Sequence, residues 1–145
     1  MTFIPYLSFQ GECAEAFSTY ASLFGGKVQL SRFDELPEAT GMPPLEPDQA
    51  GWVMHAQLTL PDGGRLLGCD NPPQFGGERM TGSSIAVTLP SEAEIRRIFD
   101  GLAEGGHVRM EPGPTFFAKS FAMLTDRFGA SWMLVVEADG AAAGQ

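Results

Sequence analysis

The tetrapeptide Gly25-Gly26-Lys27-Val28 recurs as Gly105-Gly106-His107-Val108, a shift of 80 positions. The same order of patterns surrounds each copy. A short alternating run is followed by apolar residues at helical spacing, the Gly-Gly pair, and a second run. A loop and two runs joined by a turn complete the unit. At the shift of 80, Leu7 and Phe9 fall on Val87 and Leu89. The helical stripes match at 81, Phe17 on Ile98 and Ala21 on Leu102, which a one-residue slip in a loop accommodates. A duplicated βαβββ unit is the reading that satisfies both copies. It confines the chain to an α+β fold in which each unit lays one helix on one sheet.

The expected boundaries are a first module over residues 1–70, a linker over 71–82, a second module over 83–138 and a disordered tail over 139–145. In the first module, Phe3 to Gln10 reads as a strand, with Leu7 and Phe9 on one face and Tyr6 and Ser8 on the other. Glu12 to Phe24 has Cys13, Ala16, Phe17 and Tyr20 at helical spacing and is stopped by Gly25-Gly26. Lys27 to Phe33 is a strand. Trp52 to Leu60 and Arg65 to Cys69 form a hairpin around Pro61-Asp62-Gly63-Gly64. Between them, residues 34–51 carry Pro37, Pro43, Pro44 and Pro47. That loop is too long for a connector and is expected to be a lid or a disordered insertion.

In the second module, Ser83 to Leu89 is a strand. Ser91 is an N-cap with Glu94 at the capping-box spacing. Ile95, Ile98, Phe99 and Leu102 form the helical stripe. His107 to Met110 is a strand, and Glu111 to Pro114 a Pro-rich loop. Thr115 to Val136 makes a closing hairpin around Asp126-Arg127-Phe128-Gly129. Each sheet then has one face without a helix. The economical use of those faces is a curved, partly open mixed sheet around a cleft that holds a small ligand.

Charge and cysteine usage narrow the partners. A net charge of −9 argues against nucleic acid and anionic membrane. The two cysteines, Cys13 and Cys69, form neither a disulfide framework nor a zinc ribbon, which suits a reduced, cytoplasmic protein. No signal-peptide pattern and no run long enough to span a bilayer is present.

Few residues carry chemistry. His55, Gln57 and Thr59 share a polar strand face opposite Met54, Ala56, Leu58 and Leu60. His55 is either a ligand-facing group that hydrogen-bonds or moves a proton, or a structural histidine. Asp70 either orients His55 or caps the loop. Trp132, Phe116, Phe117 and Phe121 either stack a planar ligand or pack the core. Cys69 reads as buried filler, His107 as exposed, and Asp126-Arg127 as a turn with a surface or interface ion pair. No Ser or Cys lies in a nucleophile motif, and no glycine pair has the setting of a nucleotide fingerprint.

Pro5-Tyr6-Leu7-Ser8-Phe9-Gln10-Gly11, Ala16 to Gly26, Met54-His55-Ala56 and Phe116 to Leu134 together resemble one family. It is the PhnB-like, "3-demethylubiquinone methyltransferase-like" branch of the vicinal oxygen chelate (glyoxalase/bleomycin-resistance/dioxygenase) superfamily. Asp126-Arg127-Phe128-Gly129 with Trp132 three residues on is the most specific part. Phe117-Ala118 departs from the branch, which usually shows Trp-Gly there.

Metal-binding relatives place His, Gln or Glu on the first strand of each module and Glu on the last strand. The matching positions here are Ile4 or Tyr6, Ser84 and Met133. The resemblance therefore implies a small-molecule-binding protein with no metal and no cofactor. Its expected site residues are Tyr6, His55, Gln57, Asp70, Ser84, Phe117, Trp132 and Met133. The alternative is a divalent-metal lyase, isomerase or oxygenase with His55, Gln57 and Asp70 as substitute ligands. A methyltransferase is a third reading, but the chain lacks the doubly wound sheet and Gly-rich turn that a methyl donor needs. The resemblance also implies a homodimer, with apolar area at the Phe33 and Trp52 edges.

Overall fold

Residues 1–35 and 43–139 are described by the structure, a computed structural model. Part of the loop expected to be a lid, residues 36–42, and the end of the expected tail, residues 140–145, lie outside the described residues. The chain divides into two compact units, Met1–Met80 and Thr81–Gln145.

The first unit holds β1 (Tyr6–Phe9), α1 (Cys13–Phe24), β2 (Lys27–Arg32), β3 (Val53–Thr59) and β4 (Arg65–Asp70). The second holds β5 (Ile85–Thr88), α2 (Glu92–Ala103), β6 (His107–Gly113), β7 (Ala118–Thr125) and β8 (Ser131–Glu137). Each is a four-stranded mixed sheet, in the orders β1-β4-β3-β2 and β5-β8-β7-β6. The α+β class and the paired βαβββ units expected from the repeat are what the chain adopts.

The duplication is visible in the register. Leu7 pairs with Gly68 and Val87 with Leu134, so the parallel pairs are equivalent. At both hairpins the closing amide bonds match. Leu60 N donates to Gly64 O at 2.8 Å, and Asp126 N donates to Ala130 O at 2.8 Å. Gly26 and Gly106 share one physical cause. A Cβ on either would run into a backbone carbonyl of the third strand, Thr59 in one unit and Thr125 in the other. The helices match less simply. The buried stripe of α1 is Cys13, Ala16, Phe17 and Tyr20, and that of α2 is Ile95, Ile98, Phe99 and Leu102. These align at a shift of 82, so Phe17 corresponds to Phe99 rather than to Ile98 as the expected shift of 81 required.

Each helix closes one face of its own sheet. Against α1 lie Leu7, Phe9, Ala56, Leu58 and Leu66, with Phe9 and Phe17 edge to face at 6.3 Å between ring centroids. Gly68 leaves room for the Phe17 ring, which a Cβ there would strike. Against α2 the buried residues are Ala122, Leu124, Trp132, Leu134 and Val136. Each large side chain removed from water in this way contributes about 2 kcal/mol. Ser91 caps α2 as expected, its Oγ accepting from Glu94 N at 3.2 Å.

Three expectations change. The first strand begins at Tyr6 rather than Phe3, and Pro5 contributes only its carbonyl, which accepts from Leu67 N at 3.0 Å. β6 runs to Gly113 rather than stopping at Met110. It is an edge strand with register shifts on either side of Met110, so Pro112 removes no needed donor. Asp126 belongs to the buried side of its turn rather than the surface. Its Oδ1 accepts from Phe128 N and Ala130 N, and its Oδ2 from Trp132 Nε1 at 2.9 Å.

Asp70 plays the corresponding part in the first unit. Its carboxylate is buried and accepts from Gly11 N at 2.8 Å, Cys13 N at 3.0 Å and Val53 N at 2.9 Å. One side chain thereby ties the end of β4 to the start of α1 and of β3. Asp70→Ala leaves three backbone donors without a partner and is expected to lower unfolding free energy by about 3 kcal/mol or more. Asp70→Asn, which keeps the volume and one acceptor oxygen, should lose less. Urea unfolding checks both, and a loss for Asp70→Ala near zero would contradict the assignment.

Candidate functional site

Alternation along β1, β3 and β4 sorts side chains between the helix-covered face and the uncovered one. Tyr6 and Ser8 pair with Leu67 and Cys69, and Gln57 pairs with Leu67. Tyr6, Ser8, His55, Gln57, Leu67 and Cys69 therefore share the uncovered face of the first sheet. A register shift between Ser31 and Arg32 turns Val53 inward and leaves Met54 exposed, with His55 next on the uncovered face.

Tyr6 and His55 meet there. The phenol oxygen is 3.3 Å from His55 Nδ1, and the ring centroids are 5.9 Å apart. Gln57 Nε2 donates to Thr59 Oγ1 at 3.1 Å. Partial burial, then the neighbouring Cys69, pushes the Tyr6 phenol up to about 12. Burial also pushes the Cys69 thiol up, while hydrogen bonds with Tyr6 and Ser8 pull it back. Cys13 lies on the covered side, and burial followed by the Asp70 charge raises its thiol as well. At neutral pH the cluster presents a neutral phenol and a neutral thiol beside the His55 ring. Such a face offers hydrogen-bonding groups to a ligand.

The other expected residues divide. Asp70 faces the helix and is spent on backbone amides, so it does not orient His55. Trp132 is buried beneath α2 with its indole on Asp126, so it stacks no ligand. Ser84 stands exposed just before β5. Met133 and Phe117 belong to the second unit, where Met133 does lie on the uncovered face. In register, Met110 pairs with Met123, Met123 with Met133, and Met133 with Ala86, a row across all four strands. The next row includes Phe121, whose ring meets that of Phe117 edge to face at 5.1 Å. Phe117 is half exposed and Phe116 fully so.

The sequence reading missed Cys69, Ser8, Met110 and Met123. Strand phase was the available signal: Cys69 is one residue out of step with Gly68 and Asp70. Met123 is likewise out of step with Ala122 and Leu124.

A divalent metal fits these residues poorly. The positions expected from the resemblance to hold a metal carry an alkyl group or a phenol at Ile4 or Tyr6, a hydroxyl at Ser84 and a thioether at Met133. Hard divalent cations prefer carboxylate, imidazole and amide oxygen. Among the described residues no three His, Cys, Asp or Glu side chains converge. No helix among those residues is long and apolar enough to cross a membrane.

Comparison with known proteins adds the relationship. Residues 1–135 match the family model described as 3-demethylubiquinone-9 3-methyltransferase. Protein YjdN of Escherichia coli K12 is 31% identical, with 94% of this chain and 95% of that protein covered. The structure of PA1353 from Pseudomonas aeruginosa is similar at 40% identity and a TM-score of 0.83, covering 94% of this chain and 98% of that one. The PhnB protein of Bacillus cereus is similar at 30% identity and a TM-score of 0.73, covering 94% and 99%. A glyoxalase/bleomycin-resistance/dioxygenase domain from Frankia sp. EAN1pec shares the fold alone, at 13% identity and a TM-score of 0.62, covering 97% and 93%.

The Tyr6 assignment is open to direct titration. Its phenol is raised from 10.0 to about 12, so the folded chain holds this proton where the unfolded chain releases it. Any stability that depends on it is present below pH 10 and lost as pH rises toward 12. The difference in tyrosinate absorbance between wild type and Tyr6→Phe should stay flat through pH 10 and rise only above it. A step at or below pH 10 would mean that the phenol is not shielded on this face.

Proposed function

The chain belongs to the PhnB-like, 3-demethylubiquinone-9 3-methyltransferase family on the glyoxalase/bleomycin-resistance fold, and from that premise we propose that it is a metal-independent small-molecule-binding protein. The observation that carries this reading is the Tyr6–His55–Cys69 group on the uncovered face of the first sheet. It offers directional hydrogen bonding with no carboxylate among its members. The methionine and phenylalanine face of the second sheet is a separate candidate surface, apolar rather than hydrogen-bonding. Thioethers adapt to ligand shape, and Phe117 supplies a half-exposed aromatic edge.

Methyl transfer, which the family's description names, has less support. A methyl-donor site is built on a parallel doubly wound sheet with a Gly-rich turn after its first strand. Here each sheet has one parallel pair and two antiparallel pairs. Two free cysteines suit a reducing, cytoplasmic setting. We further propose a homodimer. Phe3, Val108, Met110 and Phe116 supply exposed apolar area for it. Phe33 and Trp52, the edges expected to add apolar area, also make contacts within the first unit. Phe33 packs edge to face on Phe75 at 6.0 Å, and the Trp52 ring lies against Gly11.

Protein purified without chelator should carry far less than one equivalent of divalent metal by elemental analysis. A thermal-shift screen of planar, partly apolar compounds should yield ligands that raise Tm equally with and without EDTA. The rise should be lost in His55→Ala. Stoichiometric metal, or a Tm gain that EDTA abolishes, would favour the metal-dependent enzyme instead. Light scattering at micromolar concentration should return twice the 15.5 kDa chain mass, and a monomer would overturn the dimer.

A further inference from the structure

On the helix side of the second sheet, away from the residues discussed above, lies a cavity of about 450 Å³. Its walls are Glu92, Ile95 and Arg96 from the start of α2, Pro112 from β6, and Lys119 and Ser120 from β7. Register shifts in β6 beside Met110 and in β7 between Ala118 and Ser120 open the ladder here, leaving space that regular strands would close.

Ser120 is only 5% exposed. Its hydroxyl has no hydrogen-bond partner among the described residues. Every wholly buried side-chain nitrogen or oxygen among them does have one, so this hydroxyl keeps an opening, and the cavity it lines is that opening. A ligand that enters the cavity can therefore hydrogen-bond this hydroxyl.

The charges around the rim are unequal in their commitments. Arg96 is drawn to Asp100 at 3.3 Å and to Glu111 at 3.9 Å. Lys119 and Glu92 make no ion pair within 4.0 Å among the described residues. The cavity thus presents one unspent cation, one unspent anion, one buried hydroxyl and an apolar floor at Ile95 and Pro112.

In the first unit the start of the helix and the start of the third strand are bridged by the Asp70 carboxylate. The hairpin equivalence that matches Leu60 with Asp126 places Val136 at the position of Asp70, and Val136 is the register partner of Ser120. In the second unit an apolar residue therefore stands where the first unit has a carboxylate, and the start of α2 is capped by Ser91 instead.

We propose that this cavity binds a small apolar amino acid as a zwitterion. The ligand carboxylate is received by Lys119 and the Ser120 hydroxyl, its ammonium by Glu92, and its side chain by Ile95 and Pro112. A simple anion fits less well, because Glu92 would repel it.

NMR titration of the full chain with L-leucine tests this. Saturable shifts are expected at the Ile95, Lys119 and Ser120 amides. 4-Methylpentanoate, which lacks the ammonium, and 3-methylbutylamine, which lacks the carboxylate, should each bind about tenfold more weakly. Lys119→Gln and Glu92→Gln should each weaken leucine binding by a similar factor while leaving the thermal unfolding curve in place. Ser120→Ala should weaken it less. No saturable shift, affinity unchanged in Lys119→Gln, or 4-methylpentanoate binding as tightly as leucine would each overturn the proposal.

Discussion

A buried carboxylate near the end of a strand organises each half of this chain. Asp70 gathers three backbone amides from the β1–α1 connection, the first turn of α1 and the start of β3. Asp126 gathers two amides of its own hairpin turn and the indole of Trp132. Both sit where chain segments change direction, so amides there lack strand or helix partners. A carboxylate can accept several hydrogen bonds at once, and bonds to a charged acceptor are stronger than neutral ones. Apolar packing drives the collapse of each unit, but it is nondirectional. These two side chains supply the direction, fixing where α1 begins and how the closing hairpin turns.

The two units meet the same demand differently. Helix α1 has Glu12 at its N-cap with no side-chain capping bond, and Asp70 reaches in from the sheet instead. Helix α2 is capped locally by Ser91, so the strand position equivalent to Asp70 is released to become Val136. A cap taken over by a local residue frees a distant one. This is one route by which a duplicated unit can lose a buried charge without losing its helix.

Most elements were legible because their signals are local. The 3–4 spacing of Cys13, Ala16, Phe17 and Tyr20, the Gly-Gly stops and the Asp-Gly turns each report on neighbouring residues only. The site was less legible because facing depends on strand phase across the whole sheet. Leu66, Gly68 and Asp70 are in one phase, so Asp70 must face the helix that covers Leu66. Trp132 and Met133 are consecutive strand residues and cannot both line one face, yet both were expected to. Pro112 concealed the last part of β6, because proline argues against a central strand but not against an edge. The slip from 81 to 82 in the helix alignment has a similar origin. A stripe of apolar residues shows which face is buried more readily than which turn of one helix matches which turn of another.

Divergence between the copies is uneven, and its distribution bears on where function lies. On the covered faces both units keep mostly apolar side chains, Asp70 and Ser120 apart, and both helices bury four residues with the same 3-1-3 spacing. That face is held constant by packing against a helix, where a change of one methylene is felt. On the uncovered faces the likeness is gone. One sheet shows Tyr6, Ser8, His55, Gln57 and Cys69. The other shows Met110, Met123, Met133 and Phe121. Packing within each unit does not require that difference, since neither face carries a helix. Solubility alone would have left both faces polar, but the second presents a methionine row across its strands. One copy has become a hydrogen-bonding surface and the other an adaptable apolar one. The chemistry should therefore be sought on the uncovered faces, where the repeat fails to repeat.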